Sequence, residues 1–174
     1  MISIISGTNR KNSLSSVVAG IYKEMMEKAG FACHMINLQD LPADFIASAL
    51  YENAGSHELF NKMRDEMATT EKFVIIVPEY NGSFPGVLKA FIDGLKFPDT
   101  FSGKKCALVG ISSGVQGAVL AMSHLTDILN YCGTHVLSLK PKLSGIEKHL
   151  VDGEITNPLY VQLLEDQVKA FINF

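Results

Sequence analysis

The run Phe73-Val74-Ile75-Ile76-Val77 constrains the fold more than any other stretch of the chain. Side chains of a strand point alternately to opposite faces, so five apolar residues in succession load both faces at once. Only a strand covered on both sides can bury such a run, and parallel sheets between two helix layers provide that cover. Other segments supply the partners such a sheet needs. Ile2–Ser6 is a short β-branched run that breaks at Gly7, and Leu14, Val17, Val18, Ile21, Met25 and Ala29 then recur at helical spacing until Gly30. Residues 33–38 read as a second strand, and Leu59, Phe60, Met63 and Met67 mark a helix over about 56–70. Pro85 sits where a helix running to about residue 95 would begin, a position that tolerates its missing N–H. Residues 106–112 read as a fourth strand, 117–131 as a helix, 135–139 as a fifth strand and 159–172 as a closing amphipathic helix. Residues 41–55 show no clear period and read as loop with room for one helical turn.

Five strand–helix alternations imply an α/β fold with three layers, a doubly wound five-stranded parallel sheet. Right-handed crossovers leave few topologies, of which the order 2-1-3-4-5 suits this size. The length of 174 residues suits a single domain, and 47% hydrophobic with 19% charged residues is a globular composition. A net charge of −3 offers no broad basic footprint, so nucleic acid is not an expected partner. No apolar run reaches the length of a membrane span, and the start of the chain lacks the basic and apolar regions of a signal peptide. Cys33, Cys106 and Cys132 are odd in number and widely spaced, as expected of reduced thiols in a cytoplasmic protein.

Ligands of such sheets bind beyond the carboxyl ends of the strands, which directs attention to the loops after strands one, three and four. The first, Gly7-Thr8-Asn9-Arg10-Lys11-Asn12-Ser13-Leu14-Ser15, sets hydroxyls, amides and two cations at a helix start. Unpaired N–H groups and the helix dipole favour an anion there, hydroxyls of Thr8, Ser13 and Ser15 can donate to it, and Arg10 can fork onto it. A plain helix cap at Asn12 or Ser13 would use only one of these residues. The loop has neither G-x-G-x-x-G nor G-x-x-x-x-G-K-S/T, so a mononucleotide phosphate suits it better than a pyrophosphate or triphosphate. The second loop, Pro78-Glu79-Tyr80-Asn81-Gly82-Ser83-Phe84-Pro85-Gly86, follows the most buried strand. Asn81-Gly82 permits a positive-φ turn whose outward N–H groups could read a planar heterocycle, with Tyr80 or Phe84 near its rim. Lys89 and Asp93, four apart on the next helix, read as an ion pair.

The run from Gly7 to Ser13, and above all Pro78-Glu79-Tyr80-Asn81-Gly82-Ser83-Phe84-Pro85-Gly86-Val87-Leu88-Lys89 with Asp93, resembles the NAD(P)H-dependent FMN reductase family. That flavodoxin-like family includes flavin, quinone, azo-dye and chromate reductases. The resemblance implies bound FMN, with NADPH or NADH as reductant and a small molecule as electron acceptor. It implies that Thr8, Arg10, Asn12, Ser13, Leu14 and Ser15 hold the FMN phosphate and that Pro78, Glu79, Tyr80, Asn81 and Gly82 contact the isoalloxazine. The third loop, with Ser112, Ser113 and Gly114, would close over the pyrimidine side of the ring. The redox chemistry would belong to the cofactor, so no side chain is assigned as catalytic. The chain departs from many relatives in having Gly94 where they have Trp, and Val119-Leu120 where they often carry Arg.

Two other readings compete. Gly110-Ile111-Ser112-Ser113-Gly114 is a literal G-x-S-x-G between strand and helix, and Asp127 with His135 or His149 follows in hydrolase order. A flavodoxin-type electron carrier would fit the fold, although such carriers rely on a more acidic face than −3 and a pI near 5.9 provide. His34, His57 and His124 form no metal-binding spacing. Phe91, Ile92, Leu95, Phe97 and Phe101 amount to more apolar surface than one exposed helix and loop should carry, so a homodimer or dimer of dimers is expected.

Overall fold

The computed structural model describes residues 1–174. Strands β1 (Ile2–Ser6), β2 (Cys33–Asn37), β3 (Lys72–Pro78), β4 (Lys105–Ile111) and β5 (His135–Val136) form a parallel sheet in the order β2-β1-β3-β4-β5. That is the expected topology. Helices α1 (Leu14–Lys28), α2 (Phe45–Ser48), α3 (Glu58–Thr69), α4 (Gly86–Gly94), α5 (Val119–Tyr131) and α6 (Pro158–Asn173) complete the layers.

The sheet divides the interior into two cores. Phe73, Ile75 and Val77 of β3 pack with α3, α4 and α5, while Val74 and Ile76 pack with α1 and α6. All five are essentially inaccessible, as a strand apolar on both faces requires. Ser13 caps α1 by accepting the Ser16 N–H on its hydroxyl, 3.2 Å away, so the helix begins at Leu14, within the polar run, and takes Ser15 into its first turn. The ambiguous residues 41–55 form short helical turns, among them α2, and bury Phe45, Ala49 and Leu50 against the α3–α4 core.

The fifth strand is where the fold departs from the sequence reading. The predicted span 135–139 is interrupted: β5 pairs with Lys105 and Cys106, and a second fragment, β6 (Lys142–Leu143), pairs with Gly110 and Ile111. Pro141 lies in the gap and has no N–H to give the ladder. The opened ladder is closed from the side by Gln167 of α6, which is fully buried and donates through Nε2 to Leu108 O (2.9 Å) and Leu139 O (2.7 Å). An antiparallel hairpin of β7 (Leu150–Val151) and β8 (Glu154–Ile155) follows, turning at Asp152 and Gly153, both of positive φ. Asp-Gly is a strong signal for a tight hairpin and was available in the sequence.

Gly94 faces the ring of Phe60, and an added Cβ would lie 2.5 Å from it. The space beside α4 is therefore filled by Phe60 from the neighbouring helix.

Gln167→Leu should strand the buried Leu108 carbonyl and the part-buried Leu139 carbonyl. At about 1–3 kcal/mol for each unsatisfied group, urea unfolding should show a loss of roughly 2 kcal/mol or more without a change of fold by circular dichroism.

Candidate functional site

The carboxyl ends of β1, β3 and β4 open onto a cleft lined by Thr8, Arg10, Lys11, Asn12, Ser13, Leu14, Ser15, Pro78, Glu79, Tyr80, Ile111, Ser112, Ser113, Ile146 and Glu147. Most of the residues expected from the sequence thus meet in one place, although they come from loops far apart in the chain. Asn81, Gly82 and Gly114 stand outside this lining, on turns beside it. Ile146 and Glu147, which the sequence reading missed, arrive on the helical turn after β6. Gly145 N–H donates to Gly114 O and Ile146 N–H to Ser112 O, at 3.0 and 3.1 Å, so their placement depends on the third loop. Nothing in their own sequence marks them.

The first loop has the properties of an anion cradle. Gly7 N–H donates to Ile76 O at 3.0 Å, and a Cβ on Gly7 would lie 2.6 Å from that oxygen, so only glycine lets the loop leave β1 so close to β3. Neither Leu14 nor Ser15 N–H has a partner in the protein, and the first turn of α1 contains no acidic residue. Arg10 and Lys11 join no salt bridge. Free donors, an uncompensated helix dipole and two unpaired cations therefore face the same space.

The second loop is a tight turn. Tyr80 N–H donates to Ser83 O at 2.7 Å and Ser83 N–H to Tyr80 O at 3.0 Å, with Asn81 at φ 52° and Gly82 at φ 74°. The Asn-Gly pair thus adopts the positive-φ geometry its composition suggests. Glu79 extends the β3–β4 ladder by donating its N–H to Ile111 O. Its carboxylate accepts the N–H of Ala118 at 3.0 Å, at the start of α5, where Ala118 has the left-handed φ of 60°. A carboxylate at that helix end offsets the dipole and helps hold the strained residue. Ser83 Oγ and His124 Nδ1, 3.0 Å apart, give a second link from this turn to α5.

The third loop is built by close approach. A Cβ on Gly110 would lie 2.3 Å from Gly117 O, and one on Gly117 would lie 2.7 Å from Lys142 Cβ. The glycine that opens the G-x-S-x-G pattern is thus required by packing. Ser112, 7% exposed, donates its hydroxyl to Gly114 O (2.8 Å) and accepts Gly117 N–H (2.9 Å). Its single proton is spent on the loop, so it lacks the base contact of an activated nucleophile. His149 stacks edge-on against Tyr160, His135 sits at the start of β5, and Asp127 lies within α5. The hydrolase arrangement is not assembled.

The other histidines have local partners. His57 accepts the Phe60 N–H at the start of α3 and lies 3.5 Å from Asp44, and His34 lies 3.7 Å from Glu66. The cysteines are free thiols. Burial pushes Cys33 up to about 11 and raises Cys106 and Cys132 as well, which keeps all three protonated and poorly nucleophilic near neutral pH.

The model of the family described as NADPH-dependent FMN reductase matches residues 1–143. The chain belongs to that family. It is 27% identical over 173 residues to a quinone reductase of Escherichia coli (strain K12), covering 97% of this chain and 91% of that protein. It is 28% identical over 133 residues to a 2-hydroxy-1,4-benzoquinone reductase of a Burkholderia species, covering 75% and 70%. Among solved structures it is similar to FerB, a flavoenzyme NAD(P)H:(acceptor) oxidoreductase from Paracoccus denitrificans, with a TM-score of 0.81, 27% identity, and 99% and 94% coverage. Two-electron reduced flavodoxin from Megasphaera elsdenii, at 15% identity and a TM-score of 0.61, shares the fold.

This FMN reductase is accordingly an NAD(P)H-dependent oxidoreductase with FMN as its cofactor. The cradle fits that cofactor: its free N–H groups and unpaired cations suit a phosphate, and the cleft continues to the turn at Tyr80. The matched residues end at 143, so the reductase adds Ile146 and Glu147 to the lining from outside the matched region.

Because the Ser112 proton is committed to Gly114, a fluorophosphonate probe should leave the protein unlabelled. Intact-mass spectrometry after prolonged exposure checks this, and an adduct on Ser112 would restore the hydrolase reading.

Proposed function

We propose that the protein transfers two electrons from NAD(P)H, by way of FMN held in the β1–β3–β4 cleft, to a quinone-type small molecule. The observation that carries this reading is the convergence of the anion cradle at α1 with the Tyr80 turn in one cleft. The quinone reductases among the relatives favour that acceptor class over azo compounds, free flavins or metal oxyanions. The apolar side chains of Val115, Val119 and Leu120, all exposed on the third loop and the start of α5, are suited to an uncharged ring.

FMN, when bound, supplies two-electron redox chemistry between nicotinamide and acceptor. The protein contributes binding and orientation. Arg10, Ser13 and Ser15, with the N–H groups of Leu14 and Ser15, would hold the phosphate, and Thr8 and Asn12 would complete the cradle. Residues 78–82 and the loop at Ser112, Ser113 and Gly114 would flank the ring, and the Glu79 carboxylate ties the first of these to the start of α5 at Ala118 N–H. No side chain is needed as an acid or base. Three free thiols suit a reducing compartment such as the cytoplasm.

A homodimer is part of the same proposal, on altered grounds. Phe91 is buried within the chain and stands outside the surface patch expected from the sequence, whereas Ile92, Leu95 and Phe101, themselves largely buried, line one hollow together with Phe97. Phe97, 65% exposed, and Tyr131, 84% exposed, remain beside an apolar hollow of about 490 Å³ between α4 and α5. An aromatic pair flanking an apolar hollow suits a second copy of this chain.

The purified or reconstituted protein should be yellow, bleach anaerobically with NADPH or NADH, and regain colour on adding a quinone. Arg10→Ala should weaken FMN binding about ten- to hundredfold, the loss of one charge-assisted hydrogen bond, with riboflavin binding unchanged. Flavin fluorescence titration measures both, and a colourless protein that takes up no FMN would end the proposal. Phe97→Glu should convert a dimer to monomer in light scattering at micromolar concentration. A wild-type monomer would refute the assembly.

A further inference from the structure

The first and second loops of the cleft are joined by one side-chain hydrogen bond. Thr8 Oγ1 and the Tyr80 hydroxyl lie 2.7 Å apart, across a sequence separation of 72 residues. Each partner is held by backbone. Thr8 follows Gly7, which is pinned to β3 at Ile76, and Tyr80 sits in the double-bonded turn with Ser83. Thr8 is 1% exposed and also accepts the N–H of Arg10 at 3.3 Å.

The protons of this pair can be counted. A threonine hydroxyl has one proton and two lone pairs. Arg10 N–H occupies one lone pair, so the Tyr80 hydroxyl can donate to the other. That leaves the Thr8 proton free for a further acceptor. In the opposite orientation Thr8 donates to Tyr80, and the free proton is then the tyrosine's, on the second loop and not on the loop that carries Arg10 and the free N–H groups of Leu14 and Ser15. An anion in the cradle accepts protons only, so it selects the first orientation. A chain of donors ending on an anion is polarised along its length, which strengthens each bond in it.

We infer that Tyr80 is a positioning residue for phosphate binding: its hydroxyl donates to Thr8 and turns the Thr8 proton toward the phosphate of the flavin. The inference rests on the FMN reading above and adds a role for Tyr80 other than contact with the ring.

The test uses the full-length protein and compares FMN with riboflavin, which lacks the phosphate. Dissociation constants come from quenching of flavin fluorescence, with no turnover required. Tyr80→Phe should weaken FMN binding about five- to tenfold, the effect of one hydrogen bond, and leave riboflavin binding unchanged. Thr8→Val should weaken FMN at least as much, and adding Tyr80→Phe to it should cost nothing further. Thr8→Ser, which keeps the hydroxyl, should keep both the preference for FMN and its dependence on Tyr80. Equal weakening of both flavins by Tyr80→Phe would show that the hydroxyl serves the ring or the fold, and would overturn the inference. Unchanged FMN affinity in Tyr80→Phe, or additive losses in the double variant, would overturn it too. Failure of the wild-type protein to bind FMN would instead refute the function proposed above, which separates the two failures.

Discussion

Burial of β3 on both faces is the constraint from which the rest of the molecule follows. Phe73, Ile75 and Val77 need one helix layer, and Val74 and Ile76 need the other. Each such side chain contributes about 1.5–3 kcal/mol when removed from water. With β3 held between two cores, β1 and β4 pair with it along their lengths, and their carboxyl ends emerge side by side. The close contact of Gly7 with Ile76 O then fixes where the first loop departs, and the extension of the ladder to Glu79 fixes the second. The cleft is a consequence of that register.

The elements around the cleft divide its charges by function. Arg10 and Lys11 are left without carboxylate partners at a helix start that has no acidic residue in its first turn. Such an arrangement costs little while water solvates it and favours an anion that displaces the water. Glu79 is placed differently. It lines the cleft, yet its carboxylate is engaged by Ala118 N–H at the start of α5, so it serves the geometry of the third loop. The same loop takes up the Ser112 proton internally. The resemblance to a nucleophile elbow arises because a strand-to-helix turn packed tightly against a neighbour needs glycine at Gly110, whatever chemistry the site performs.

Tolerance at the sheet edge contrasts with the strictness at its centre. The break between β5 and β6 would expose Leu108 O and Leu139 O, and Gln167 restores both bonds from α6. This repair allows residues 142–147 to run beneath the third loop and deliver Ile146 and Glu147 to the cleft. A continuous fifth strand would have paired further residues of β4 instead.

The sequence by itself determined the alternation of strands and helices, the central position of β3, and the two polar loops that hold the cradle and the Tyr80 turn. Those properties are local: periodicity, Gly and Pro placement, and clusters of donors can be read over a few residues. The positive φ of Asn81 and Gly82 belongs with them, since a two-residue turn closed by paired hydrogen bonds between Tyr80 and Ser83 leaves that pair few alternatives. Only the tertiary structure decided which apolar residues near α4 are core: Phe91 and Phe101 are buried while Phe97 is exposed, although all three look alike in sequence. It also decided that Phe60 fills the space beside Gly94, that Gln167 completes a distant ladder, and that Thr8 meets Tyr80. Each of these depends on contacts between segments separated by tens of residues, whose meeting is set by the packing of whole layers and not by any local preference.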